Sequence, residues 1–209
     1  MGRNAPGADF SLNLFSPCAF LSLNMPEVSA LEQLPVAQAR AGDPAAWNAL
    51  FRRYQLPIYV FAFELLRDEQ AGRDVVQDTF LAAVRHLASL REDDKFGSWL
   101  FAIAHQKCVQ HARKPAEILF DEVPEAPDAL DDGPDELLIR REQEAAFMNR
   151  LAQLPPSHRA VLLLHFLEDF SLADIARVTE TRLGTVKSRL YYAKKALRKL
   201  LEADNENAA

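Results

Sequence analysis

The chain of 209 residues holds only two cysteines, Cys18 and Cys108, far apart and in no CxxC pair. That excludes a disulfide framework and a cysteine-built structural zinc, and fits a reducing cytoplasm. Seven glycines leave few of the turn residues that a strand-rich fold consumes. No run reaches the length of about 18 apolar residues that crosses a bilayer, so no membrane insertion is expected. HExxH, GxSxG and a phosphate-cradling glycine loop are all missing. The chain is therefore not expected to be an enzyme, to carry a cofactor or to hold a metal.

A basic excess is missing too, since the formal net charge is −6. The average hides a partition. Pro115 to Glu136 holds nine acids and no Lys or Arg, and removing those nine negative charges from −6 leaves +3 for the rest. Charge must therefore be argued segment by segment. Residues 115–134 are Pro-rich, acidic and without helical period, and read as a flexible linker.

What is present in quantity is helical period, and the stretch Ser171–Leu201 carries the most specific version of it. Ser171 with Asp174 forms a capping box, and Leu172, Ile175, Ala176 and Val178 give a short helix one apolar face. Thr179–Leu183 breaks the pattern. A second helix starts near Gly184, with Val186, Leu190, Ala193, Leu197 and Leu200/Leu201 inside. Between Thr181 and Leu201 there are seven Lys/Arg and no acid. A capped short helix, a turn and a basic amphipathic helix make a helix-turn-helix. Its second helix is suited to phosphates, and Thr185, Lys187, Ser188 and Arg189 stand near the end that reaches base edges.

The remainder also reads as helix. Residues 1–24 are expected to be an over-extended start or a disordered tail, because Met25 opens a more ordinary cytosolic sequence. From Val28 a short piece uses Leu31, Leu34 and Ala37 or Ala41, and Gly42 ends it. Asp43-Pro44 restarts the chain as cap and first helical residue. The apolar stripe that follows is Trp47, Leu50, Phe51, Tyr54, Ile58, Phe61 and Leu65, with a kink expected at Pro57. After a turn at Arg67–Glu69, a helix over about 70–88 takes Val75, Val76, Thr79, Phe80, Ala83, Val84 and Leu87 as core. Its outer face offers Asp74, Gln77 and Asp78.

Asp94 is read as the cap of a helix over Phe96–Lys114. This helix mixes aromatic, amide and basic groups, the chemistry that holds extruded bases. Leu100 and Ile103 are read as core within it. His105, Cys108 and His111 have helical spacing, but a buried Cys with two polar-face histidines suits them better than a metal. Beyond the linker, a helix runs from Asp135 to Leu154 and another from Ser157 to Glu168. The fold class is all-α: two helical domains joined by a flexible acidic linker, the second a four-helix bundle with the helix-turn-helix. The expected division is 25–114, 115–134 and 135–203, with a tail at 204–209.

Two segments together carry a resemblance. Asp74-Val-Val-Gln-Asp-Thr-Phe80 followed by Phe96-Gly-Ser-Trp99-Leu-Phe-Ala-Ile-Ala104 resembles the second region of bacterial RNA polymerase sigma factors. Leu154-Pro-Pro156 with Val161–Leu164, then Gly184-Thr-Val-Lys-Ser-Arg-Leu190 and Ala193–Arg198, resembles the fourth. A chain built of these two regions resembles the extracytoplasmic-function (ECF) group of the sigma-70 family. The resemblance implies a sigma factor that binds core RNA polymerase and directs promoter recognition and melting, rather than a stand-alone helix-turn-helix regulator. It implies that Asp74, Gln77, Asp78 and Phe80 dock on the clamp helices of the largest subunit, with the flap of the second largest as a further contact. Phe96, Trp99, His105, Gln106, Lys107, Gln110, Arg113 and Lys114 would recognise and melt the −10 element, with Gln106 where Asn is usual. Arg182, Thr185, Lys187, Ser188, Arg189 and Lys194 would read the −35 element. Glu180 stands where a turn Gly is usual. An anti-sigma factor is an expected partner, and the acidic linker is expected to thread a basic polymerase channel.

Overall fold

The structure, a computed structural model, describes residues 34–113 and 147–207, with side chains through Leu201. Lys114, the acidic linker, the N-terminal tail and the first part of the helix expected from Asp135 lie outside the described residues. Among the described residues all regular structure is helical, as expected.

Helix α1, Val36–Arg40, buries Val36 and Ala39. The sequence expectation was one step out of phase, because Ala37 and Ala41 are exposed. Gly42, at φ +90°, makes the turn that a Cβ would strain. Asp43 then caps α2, Pro44–Leu66, accepting from the Ala45 amide at 2.9 Å. Helix α2 runs unbroken through Pro57 and buries Leu50, Tyr54, Ile58 and Phe61. Phe51 departs from the expected stripe and is 39% exposed.

Arg67 ends α2 in the left-handed region, and Asp68 caps α3, Glu69–His86, through the Ala71 amide. Gly72 lets α3 approach closely, since a Cβ there would meet the Tyr59 ring at 3.2 Å. Val75, Thr79, Phe80 and Ala83 face inward. Val84, expected inside, is 57% exposed, because it lies about 100° around the helix from Ala83. Asp94 does not cap the next helix: it lies inside a 3-10 turn, Asp93–Lys95, that leads into α4, Phe96–Arg113. Helix α4 buries Phe96, Leu100, Phe101, Ala104 and Cys108, whereas Ile103 is only half-buried.

The second group begins with a helical stretch at 147–152 (α5), which buries Leu151. Pro155-Pro156 opens α6, Pro156–Leu167, whose residues Arg159 to Leu164 are all buried. Helices α7, Leu172–Val178, and α8, Leu183–Asn207, complete it. The two groups share one core: α6 packs on α2, and α7 packs on α4.

Candidate nucleic-acid interface

In the α7–α8 unit the cap, the turn and the helix start are each built by local hydrogen bonds, with Glu180 as the one residue at a position that suits glycine better. Ser171 Oγ accepts from the Asp174 amide at 3.1 Å, and the Asp174 carboxylate engages both the Ser171 hydroxyl and Arg177. Burial works against the Asp174 anion, yet these bonds and nearby Lys95 hold its pKa below the usual carboxylate value. In the turn, Thr179 Oγ1 donates to the Ile175 carbonyl at 2.8 Å. Glu180 takes φ 50°, the left-handed conformation that favours glycine. The Arg182 carbonyl receives the Thr185 and Val186 amides and so starts α8.

On α8 the burial is segregated. Val186, Leu190, Ala193 and Leu197 are inside, while Arg182, Lys187, Ser188 and Lys194 are exposed and Thr185 and Arg189 half-buried. Two side chains are already engaged. The Ser188 hydroxyl bonds back to the Gly184 and Thr185 carbonyls, and Lys194 lies 5.1 Å over the Phe166 ring and 3.4 Å from His165 Nε2.

Helix α4 is built differently. Phe96, expected to touch DNA, is fully buried between Tyr54 and Trp99, at ring distances of 5.5 and 5.8 Å. It is a core residue with no face for a base. Trp99 is half-buried, and Gln106, Gln110 and Arg113 are exposed. Lys107 pairs with Asp78 at 3.6 Å, so one residue of the expected −10 set neutralises one of the expected docking set. Cys108 is buried, and burial pushes its thiol up to about 12. His105 is half-buried, and burial lowers its pKa; Glu180 opposes that and Arg189 adds to it. The −10 candidate His105 therefore lies within electrostatic reach of the −35 candidate Arg189.

Of the expected docking residues on α3, Gln77 is exposed and Asp74 accepts from Gln70 at 3.1 Å. Phe80 is only 8% exposed and packs edge-on against Phe51 at 4.8 Å, so its ring belongs chiefly to the core. Sequence reasoning missed the charges between the two groups. Glu64, 1% exposed, receives Arg67 at 2.5 Å and approaches Arg159 at 4.0 Å. Arg53 grips Glu168 at 3.2 and 3.4 Å. One signal for Glu64 and Arg159 was available: each is the lone ionic residue in a markedly apolar stretch, Leu56–Leu66 and Pro156–Leu167.

The Sigma-70 region 2 family matches residues 50–117 and the Sigma-70, region 4 family matches residues 144–197. RNA polymerase sigma-H factor of Pseudomonas aeruginosa is 32% identical over 181 residues, 82% of this chain and 94% of its own. ECF RNA polymerase sigma factor SigW of Bacillus subtilis is 27% identical over 176 residues, 79% and 94% of the two chains. The chain belongs to the ECF sigma factors of the sigma-70 family. The fold of this sigma factor agrees: CnrH, solved in complex with the cytosolic domain of CnrY, superimposes with a TM-score of 0.59 at 25% identity, covering 82% of this chain and 97% of that one.

Its function is that of a sigma factor directing transcription initiation, and the stand-alone regulator is set aside. Its relatives are RNA polymerase specificity subunits. Region 2 falls on α2–α4 and region 4 on α5–α8. Among the described residues no helix is long and apolar enough to cross a membrane.

Proposed function

We propose that this sigma factor works in the cytoplasm as a non-catalytic subunit with two modules, 25–114 and 135–203, joined by the acidic segment 115–134. The outer face of α3, with Asp74, Gln77 and Asp78, docks on core polymerase. Helix α4 handles the −10 element through Trp99, His105, Gln106, Gln110 and Arg113, the Phe96 ring being the platform beneath Trp99. Helix α8 reads the −35 element through Arg182, Thr185, Lys187 and Arg189. An anti-sigma factor is a partner by analogy with the sigma factor RpoE of Bartonella quintana, whose structure is that of a complex with the anti-sigma factor NepR.

The observation that carries this reading is the segregation on α8: a buried apolar stripe on one side and exposed cations beside the helix start on the other. That geometry suits a helix lying in a major groove between phosphate walls. The testing experiment is run-off transcription with the purified chain, bacterial core polymerase and fragmented genomic DNA. Discrete starts that need the protein and share an upstream −35/−10 pair are expected. Lys187→Ala should then weaken promoters across sequences, while Gln106→Ala should change the −10 preference. Starts that do not shift with either variant would overturn the residue assignment.

A further inference from the structure

The outer face of α3 changes character along its length. At about 100° per residue, Asp74, Gln77, Leu81 and Val84 fall within about 80° of one another around the helix. The first two carry the polar chemistry proposed to dock on core polymerase, whereas Leu81 and Val84 are 48% and 57% exposed. Phe80, about 40° around from Val84, packs edge-on against Phe51 of α2, itself exposed. Phe51, Val84 and Leu81 thus form an apolar patch that bridges α2 and α3, with exposed polar neighbours in Asn48, Arg52, Gln77 and Arg85. Both Phe51 and Val84 belong to apolar stripes by helical period, yet the fold leaves them in water. An apolar patch with a polar rim marks a surface that something covers.

The chain carries its own candidate for that cover. Between Asp9 and Glu27 there is no charged residue, and residues 10–23 include four leucines and three phenylalanines. A segment that stays in water has the opposite composition, poor in large apolar residues and rich in charge. The stretch is interrupted by Pro17 and is shorter than the about 18 apolar residues that cross a bilayer. Its tether also ends in the right place. Arg40 of α1 donates to the Leu90 carbonyl at 3.2 Å and pairs with Asp93. That seats α1 beside the 3-10 turn Leu87–Ser89, which follows directly on α3. The residues between Leu23 and Leu34 span at most about 35 Å when extended, while α3, with 18 residues, is about 27 Å long. Residues 10–23 can therefore reach the whole patch. A tether of that length holds them near it at an effective concentration on the order of millimolar, which a second copy or a separate protein would have to match from solution.

We propose that residues 10–23 fold back on the chain and cover Phe51, Leu81 and Val84, their leucines and phenylalanines lying against the patch. The cover occupies the apolar end of the face that carries Asp74 and Gln77, so core polymerase must displace it there. That consequence rests on the proposed role of α3; the docking itself does not, and is tested without polymerase.

Cys18 lies inside the segment and Cys108 is buried, so a nitroxide reagent marks Cys18 selectively in the full chain. The label should broaden the methyl resonances of Leu81 and Val84, and reducing the nitroxide should restore them. Dilution should leave the broadening unchanged. Phe15→Glu combined with Phe20→Glu, which touches none of the described core, should abolish it. Leu81→Gln, at an exposed position, should weaken it at Val84. Absence of broadening in the full chain would overturn the proposal, and so would broadening that survives the two glutamates. Broadening passed from a labelled chain to an unlabelled one in a mixed sample would overturn it in favour of a second copy. Removing residues 1–24, so that the chain starts at Met25, should tighten binding to core polymerase about threefold, the factor for a face covered two-thirds of the time. Broadening with unchanged core affinity would uphold the docking and fault instead the assignment of the outer face of α3 to core polymerase.

Discussion

Helices α4 and α8 are proposed to read one promoter, yet they solve the task of carrying functional residues in opposite ways. On α8 the core stripe and the cations occupy separate faces, so the helix packs and presents at once. On α4 they interpenetrate: Phe96 is fully buried, Trp99 leans on it half-buried, and Lys107 is tied to Asp78. A helix that only has to lie against an intact duplex can keep its chemistry on the surface. One proposed to hold bases out of the stack needs rigid aromatic platforms, and rigidity comes from burial.

The largest effect expected from this contrast is on stability. Phe96→Ala should cost about 3–5 kcal/mol, because a fully buried ring is removed from between Tyr54 and Trp99. Lys187→Ala on α8, exposed and outside the core, should stay within about 0.5 kcal/mol. Urea unfolding of the two variants checks both. The same Lys187→Ala should reduce the salt dependence of DNA binding by about one unit of log–log slope. If Phe96→Ala proved as mild as Lys187→Ala, the two helices would not differ in the way described.

A smaller effect is expected in the turn. Glu180 holds φ 50°, where a side chain is disfavoured and glycine is not. Glu180→Gly removes about 1–2 kcal/mol of backbone strain and adds freedom to the unfolded chain, so a net gain of about 0.5–1 kcal/mol is expected in the urea midpoint. Glu180→Ala would keep the strain and lose only the charge, which separates backbone from electrostatic causes.

The degree to which the sequence could be read follows the same division between the two helices. For α7 and α8, cap, turn and period agree: Ser171 and Asp174 meet as a box, and Val186, Leu190, Ala193 and Leu197 are all inside. Asp43 and Asp68 likewise sit at helix starts and accept backbone amides. On α4 the aromatic residues stood in the −10 set by residue type, and only packing decides that Phe96 is core. The period of α1 was too short to fix its phase, so Ala39 and Val36 replaced the residues expected. The pairing of charges between the two helix groups had no local pattern, since Arg53 and Glu168 are 115 residues apart. Nothing in a single sequence pairs them; what could be seen was Glu64 alone among apolar neighbours.

The smallest effect expected is one of pH on folding stability, and it sits on α4. Burial, with Arg189, holds the His105 pKa below its ordinary value of 6.5, while Glu180 pulls it back up. The folded chain therefore binds fewer protons at this ring than the unfolded chain does. The contribution of His105 to stability is full above the ordinary value and is lost as pH falls towards the depressed one. Glu168 and Glu64 act in the reverse direction. Burial raises both above the ordinary Glu value, against the pull of Arg53 on Glu168 and of Arg67 and Arg159 on Glu64. The two trends overlap, so the raw pH profile of the urea midpoint cannot isolate the histidine, but a difference can. Subtracting the profile of His105→Gln, which keeps a polar side chain of similar reach without the titration, should leave a component that destabilises the fold as pH drops through the range just below 6.5. Glu180→Gly removes the acid that opposes this shift, and should make that component larger. A flat difference profile would mean that His105 titrates equally in the folded and the unfolded chain, and that α4 does not shield its ring in solution.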